Sequence, residues 1–158
     1  MPVNTRERQI TLAFEQCWWE AVGPTRAFIY GTCLDLVQDK GLSARVAMAA
    51  HELLENAVKY GRRTNGPVYC SLELLPWGLD LRVRNEAPPE ALEGLLAAVN
   101  AVMRGDPMEM YMEQMEASLS RDASGLGLAR VRCEAQADLS VSLTGDLLTV
   151  LAHFPYQN

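Results

Sequence analysis

The sequence has few cysteines, and their spacing excludes the usual metal-binding motifs. The four thiols belong to Cys17, Cys33, Cys70 and Cys133, with no CxxC pair and no adjacent histidine. Structural metal clusters draw on closely spaced Cys and His ligands. We therefore predict no metal cluster. Because each thiol stands among apolar neighbours, we expect all four to be buried.

Basic residues are also scarce. Lys and Arg number 14 against 20 Asp and Glu, which gives a formal net charge of −6 at pH 7. Proteins that bind nucleic acid neutralise phosphates with clustered Lys and Arg. The composition therefore argues against a nucleic-acid partner. It leaves room for one small anionic ligand, because backbone amides and a few local cations can hold a phosphate.

Long apolar runs are missing as well. No run approaches the roughly 20 residues that a membrane-spanning helix requires, and the segment MPVNTRERQ lacks the apolar core of a signal peptide. The expectation is a reduced, cytoplasmic protein with no membrane partner. Its 158 residues, 49% of them apolar, suffice for one domain over 1–158 with a core of its own.

Periodicity and turn residues predict an α+β fold. Strands are expected at 8–14, 68–75, 78–85, 139–144 and 147–154, with hairpin turns at 76–78 and 145–146. Helices are expected at 24–40, 44–60, 89–103, 108–119 and 127–136, with Ser43 as an N-cap and Gly41 as a helix end. This order predicts a two-layer sandwich of helices on a mixed, mostly antiparallel sheet.

The predicted helix over 44–60 has two unlike faces. At 100° per residue its apolar side chains share one broad arc, which a core explains: Val46, Ala50, Leu53, Leu54, Ala57 and Val58. Glu52, Asn56 and Lys59 fall together on the opposite side. A carboxylate one turn from an Asn can deprotonate a hydroxyl or water, and the Asn oxygen can ligate Mg²⁺ that bridges nucleotide phosphates. The alternative is an ordinary solvated helix face.

The segment SGLGLAR at 124–130 places two glycines just before a predicted helix. Glycine allows a phosphate to approach the backbone closely, and the helix N-terminus adds amide donors and a favourable dipole. Arg121 and Arg130 are candidate phosphate contacts. Taken alone, the segment is equally compatible with a simple turn before a helix.

Together these two segments resemble the motifs of the histidine-kinase-like ATPase superfamily. HELLENAVKYG is similar to its N-box, a Glu followed after three residues by Asn-Ala and then by a basic and an aromatic residue. SGLGLAR is similar to its second glycine box, about 70 residues further on, with a hairpin and a variable lid between. The resemblance covers most of the chain and implies a Bergerat-type fold with the lid at about 86–124.

The resemblance implies a role for each matching residue. Glu52 would be the general base, and Asn56 would be the Mg²⁺ ligand. ATP would be bound by the N-box, by the hairpin and by the second glycine box, through Asn56, Lys59, Asn85, Ser124, Gly125, Leu126, Gly127 and Leu128. The implied cofactors are ATP and Mg²⁺.

The first glycine box departs from the family pattern. In the family an Asp after the hairpin accepts a hydrogen bond from the adenine amino group, and an x-Gly-x-Gly sequence follows. Here Asn85 stands in place of the Asp and Ala87 in place of the first Gly. The Asn oxygen still accepts a hydrogen bond, but without charge assistance, which roughly halves the strength of such a bond.

Two hypotheses for function follow from the resemblance. The length of the chain and the segment 98–130 resemble anti-sigma-factor serine kinases and SiaB-like kinases, which implies phosphorylation of a Ser or Thr on a small partner protein (anti-sigma-antagonist-like or SiaC-like). The second hypothesis is a degenerate module that sequesters a partner without catalysis, for which Asn85 and Ala87 speak. Homodimerisation is left open in both.

Two further apolar features have alternative explanations. Met108, Met112, Met115 and Leu119 lie on one helical stripe. We expect this stripe to pack into the core or under the lid, the alternative being a soft surface for a partner. The pair Trp18-Trp19 is expected to cover the edge of the core, the alternative being a dimer or partner surface.

Overall fold

The computed structural model describes residues 8–60, 66–119 and 125–157. Five strands form one sheet in the order β1-β2-β3-β5-β4, and every pair is antiparallel. They are β1 (Arg8–Glu15), β2 (Pro67–Leu75), β3 (Gly78–Glu86), β4 (Asp138–Thr144) and β5 (Leu147–Pro155). The predicted two-layer α+β fold is confirmed, and the described strands contain no parallel pair.

In the described residues five α-helices accompany the sheet, all predicted from the sequence with small shifts at their ends. They are α1 (Val22–Val37), α2 (Lys40–Tyr60), α3 (Pro89–Met103), α4 (Pro107–Ser118) and α5 (Leu126–Cys133). A short 3₁₀ turn over Trp19–Ala21 precedes α1. The predicted stop at Gly61 lies outside the described residues.

Turn chemistry explains the accurate boundaries. The β4–β5 turn places Gly145 at φ 62°, a left-handed conformation that glycine adopts without steric cost. Pro89 occupies the first position of α3, where its missing N–H costs nothing. Strong local signals of this kind fix both hairpin registers, Leu75 opposite Gly78 and Thr144 opposite Leu147.

The core lies between α2 and the inner face of the sheet. From α2 it contains Val46, Ala50, Leu53, Leu54, Ala57 and Val58, the whole predicted apolar arc. Leu72, Leu81 and Phe154 meet them from β2, β3 and β5. The outer face of the sheet is polar: Asp80 accepts hydrogen bonds from Arg82 at 3.0 Å and pairs with His153 at 2.6 Å. One face of the sheet thus packs against the helices, and the other carries ion pairs between its side chains.

The start of α2 corrects two predictions. Asp39, not Ser43, is the N-cap, because its Oδ1 accepts a hydrogen bond from the Leu42 amide at 2.9 Å. The Ser43 hydroxyl lies within the first turn and donates to the Asp39 carbonyl at 2.6 Å. Gly41 is also inside α2, and α1 ends instead at Gln38, whose φ of 55° is left-handed.

Several apolar side chains are more exposed than predicted. Cys33 and Cys70 are buried as expected, and burial raises the pKa of the Cys70 thiol to about 12. Cys17 is exposed and Cys133 is half-buried, which contradicts the prediction for those two. The Met stripe is exposed as well and does not form core. Trp18 and Trp19 are 56% and 47% exposed, which is compatible with either explanation given for the pair. No helix of the described residues is long and apolar enough to cross a membrane.

The cap on α2 should be measurable. Asp39→Ala is expected to lower the free energy of unfolding by about 1 kcal/mol, because the Leu42 amide loses its acceptor. Asp39→Asn keeps an acceptor and should retain most of that stability. Urea unfolding followed by circular dichroism compares the two. Equal losses for both variants would contradict the capping role.

Candidate functional site

A cavity of ≈ 290 Å³ lies between α2, α3, α5 and the adjoining strands. Its walls are mostly apolar, and they are formed by Leu53, Asn56, Ala57, Val83, Asn85, Ala87, Ala91, Gly94, Leu95, Ala98, Leu128, Leu148 and Val150. Small ligands bind in concave, largely apolar sites that carry a few placed polar groups. The cavity therefore has the character expected of a small-ligand site.

Two amides supply the polar side chains of this cavity. Asn56 projects from α2, and Asn85 stands at the end of β3 with 6% of its surface exposed. The Asn85 Nδ2 donates to the Glu86 carbonyl oxygen at 3.2 Å. This bond orients the amide, so that its oxygen is the atom able to accept from a ligand. Both residues were predicted to bind the cofactor, and the structure brings them to one cavity.

One wall of the cavity was missed by sequence reasoning. Ala91, Gly94, Leu95 and Ala98 of α3 line it. Their spacing of three, four and seven residues places them on one helix face. The signal was present as a stripe of mainly small residues in a helix that was predicted with the correct bounds. It was missed because small residues at helical spacing are as typical of ordinary helix packing as they are of a cavity wall.

Glu52 lies beside the cavity, against the first turn of α5, and does not line it. Its Oε1 accepts a hydrogen bond from the Arg130 Nη1 at 2.7 Å. A Cβ added at Gly127 would lie 2.6 Å from the Glu52 Oε2, closer than real contacts allow. A side chain at this position would therefore force the Glu52 carboxylate to move, whatever ligand binds nearby.

Arg130 connects Glu52 to α4 through Glu134. Its Nη2 also approaches the Glu134 Oε2 at 3.5 Å. Glu134 in turn accepts a hydrogen bond from the Tyr111 hydroxyl of α4, which raises the pKa of Tyr111. Arg130 was predicted as a phosphate contact, and here its guanidinium pairs with two carboxylates. The ion pair was missed because its partners are 78 residues apart in sequence.

Burial raises the pKa of Glu52 above its ordinary value, and the positive charge of Arg130 opposes that rise. The negative charge of Glu134 acts in the same direction as burial. A carboxyl group in this balance accepts a proton more readily than an exposed one. Acid–base residues need that property to work near neutral pH.

The remaining predicted site residues divide into three groups. Leu128 is buried and lines the cavity, while Gly125, Leu126 and Gly127 form the start of α5 beside it without lining it. Lys59 is exposed near the end of α2 and does not line the cavity. Ser124, like Arg121, lies outside the described residues.

Comparisons with known proteins place the fold. No family model matches the sequence, and no curated protein matches it either. A chain of the SiaB–SiaC complex from Pseudomonas aeruginosa superimposes with a TM-score of 0.72 at 14% identity, covering 90% of this chain and 88% of that one. The chain has the fold of this SiaB–SiaC component. The predicted resemblance to SiaB-like proteins is thus confirmed for the fold.

A second structure aligns less closely. The Acinetobacter baumannii histidine kinase AdeS gives a TM-score of 0.47 at 18% identity, covering 96% of this chain and 70% of that one.

The residues present could hold Mg²⁺ only if phosphate oxygens and waters complete its coordination. In the part of the chain that the structure describes, no group of three or more His, Cys, Asp or Glu side chains could hold a metal ion. Mg²⁺ is commonly held by one or two protein oxygens together with waters and substrate phosphates. Asn56 at the cavity wall fits that pattern as a single oxygen ligand.

The charges around Glu52 predict opposite shifts in two variants. Arg130→Gln should raise the pKa of Glu52 further, because the opposing positive charge is removed. Glu134→Gln should lower it, because a repelling negative charge is removed. NMR titration of the side-chain carboxyl carbons measures both shifts. Shifts of the same sign in the two variants would contradict this account of the site.

Proposed function

We propose that the chain binds Mg-ATP in the cavity beside α2 and transfers the γ-phosphoryl group to a Ser or Thr of a small partner protein. One observation carries the proposal: two sequence segments about 70 residues apart meet at one place. Asn56 and Leu128 line the same cavity, and Glu52 contacts Gly127. A solvated helix face and an unrelated turn would have no reason to converge in this way.

The cavity residues divide the binding of ATP between them. The apolar walls from α3 and β5 would enclose the adenine, and the oxygen of Asn85 would accept from its amino group. The start of α5 would meet the phosphates with backbone amides. Mg²⁺ on Asn56 would supply neutralisation of phosphate charge, the main requirement of phosphoryl transfer.

Glu52 would take the proton from the acceptor hydroxyl. As the hydroxyl oxygen bonds to the γ-phosphorus, the bond from phosphorus to the β–γ bridging oxygen breaks and ADP leaves. The proton passes to the Glu52 carboxylate, whose raised pKa favours acceptance. Arg130, which holds that carboxylate at 2.7 Å, acts as a positioning residue.

The partner is proposed from the structural neighbour. That neighbour was solved as the SiaB–SiaC complex. A small SiaC-like protein carrying the acceptor Ser or Thr is therefore the partner we propose here. The proposed setting is a partner-switching system in the bacterial cytoplasm, in which phosphorylation changes the partner's associations.

A second function is favoured by two features of the site. Asn85 replaces the charged adenine acceptor, and Glu52 is already engaged by Arg130. Both would suit a degenerate module that regulates by holding its partner without catalysis. The two functions differ in their need for Glu52. A kinase requires it for phosphate transfer, whereas a module that only holds its partner requires the fold alone.

Transfer assays decide between them. With ATP, Mg²⁺ and the partner, Glu52→Gln should lower the transfer rate by about 10²–10⁴-fold, the usual contribution of a general base. ATP binding measured by calorimetry should be preserved, because Glu52 does not line the cavity. The control Glu20→Gln, an exposed carboxylate that neither lines the cavity nor acts on the pKa of Glu52, should transfer normally. A wild-type protein that binds the partner but never transfers phosphate would establish the holding function instead.

Asn85→Asp should raise ATP affinity about tenfold by restoring a charge-assisted hydrogen bond. The same change should destabilise the ligand-free protein, because the described cavity lining contains no cationic side chain to balance a buried carboxylate. Calorimetry with ATP and GTP, together with thermal unfolding, measures both effects. An equal gain for GTP would show that Asn85 does not face the adenine amino group.

A further inference from the structure

Helix α4 exposes a continuous apolar stripe. Met108, Met112, Met115 and Leu119 are 56%, 55%, 45% and 89% exposed. Their spacing of four, three and four residues places all four side chains within one narrow arc of the helix. Large side chains scattered singly on a surface are ordinary, but an aligned series on one helix indicates an interaction site.

A different side of α4 attaches the helix to the protein. Tyr111 is half-buried, packs against the core and donates its hydroxyl to Glu134 of the α5 end. The Gln114 side chain reaches Gly125, where an added Cβ would lie 2.5 Å from its Oε1. Tyr111 and Gln114 thus anchor the helix through side chains that do not belong to the stripe.

Acidic residues run along one flank of the stripe. Glu109, Glu113 and Glu116 are exposed and follow one another at the same helical spacing as the methionines. The segment over 107–118 contains no Lys and no Arg. The surface thus combines flexible apolar side chains with negative charge of a single sign.

We propose that α4 is a docking surface for a basic amphipathic helix of a partner protein. Such a helix presents apolar residues at three- and four-residue spacing, which complement the stripe. Lys or Arg beside them would meet Glu109, Glu113 and Glu116. Methionine is suited to this role, because its unbranched thioether adapts to a partner's shape.

Charge disfavours a second copy of the chain as the occupant. Pairing α4 with α4 of another molecule would bring three further carboxylates and no cation from the same helix. Like charges facing one another across an interface oppose association. The proposal also goes beyond phosphate transfer, since it involves neither the cavity nor Glu52.

The test uses the full chain without nucleotide and a fluorescent synthetic helix of Leu and Lys, about 14 residues long. The wild-type protein should bind this peptide, and the double variant Met108→Gln/Met112→Gln should bind about tenfold or more weakly. Gln matches Met in helix propensity, so α4 should be preserved, which circular dichroism verifies. Trp77→Gln, which removes a 62% exposed apolar residue from the β2–β3 turn, is the matched control and should bind normally.

A second arm tests the acidic flank. Raising salt from about 0.05 to 0.5 M should weaken wild-type binding, and Glu109→Gln/Glu113→Gln/Glu116→Gln should lose most of that dependence. Absence of wild-type binding, or equal binding of a scrambled Leu-Lys peptide, would overturn the proposal. Sedimentation showing a wild-type dimer that the Met variant abolishes would assign the surface to self-association instead. Because the assay contains no ATP, its failure leaves the proposed kinase activity to be judged separately.

Discussion

The burial of one face of α2 against the sheet is the constraint on which the site depends. Val46, Ala50 and Leu54 of this helix are fully buried in the core that it shares with the sheet. Burial of each large aliphatic side chain stabilises the fold by about 1.5–3 kcal/mol, so rotation of the helix would expose several such contributions at once. With that face fixed, Asn56 is held at the cavity and Glu52 is held against α5. Packing of the core thus sets the orientation of both polar side chains.

The contact between α2 and α5 depends on a small residue and an ion pair. Glu52 would be costly to bury without a partner, and Arg130 provides one at 2.7 Å. Gly127 provides the space, because a side chain there would force the carboxylate to shift. Gly127 of the motif therefore has a packing reason here in addition to its proposed approach to phosphate. Replacement of Arg130 or Gly127 would therefore change the position of Glu52 even in the ligand-free protein.

Much of the fold could be predicted because the signals are local. Pro89, Gly145 and the alternation of apolar residues fix α3 and both hairpins within a few residues of the chain. The polar side of α2 followed from helical periodicity, and Asn56 was correctly set apart from the core. Asp39 was missed as a cap because Ser43, equally suited by residue type, stands four residues later.

The missed features depend on contacts between distant segments. Arg130 meets Glu52 across 78 residues, and no spacing rule connects them. Predicting the cavity wall formed by α3 would have required knowing which side of that helix faces α2. The exposure of the Met stripe was predicted wrongly, because the sequence pattern of an apolar stripe is the same whether the stripe is buried or exposed. Hydrophobicity predicts that such side chains are covered by other groups. Only the tertiary arrangement shows whether those groups belong to the core or to a partner.

A series of polar contacts links one side of α4 to Glu52. Tyr111 on one side donates to Glu134, and Glu134 shares Arg130 with Glu52. The charges of Arg130 and Glu134 act on the pKa of Glu52 in opposite directions. A movement of α4 that separates Tyr111 from Glu134 would leave that carboxylate freer to hold Arg130, and the balance at Glu52 would change. Coupling of this kind requires no change in the cavity itself, because it acts through the one guanidinium that both carboxylates share.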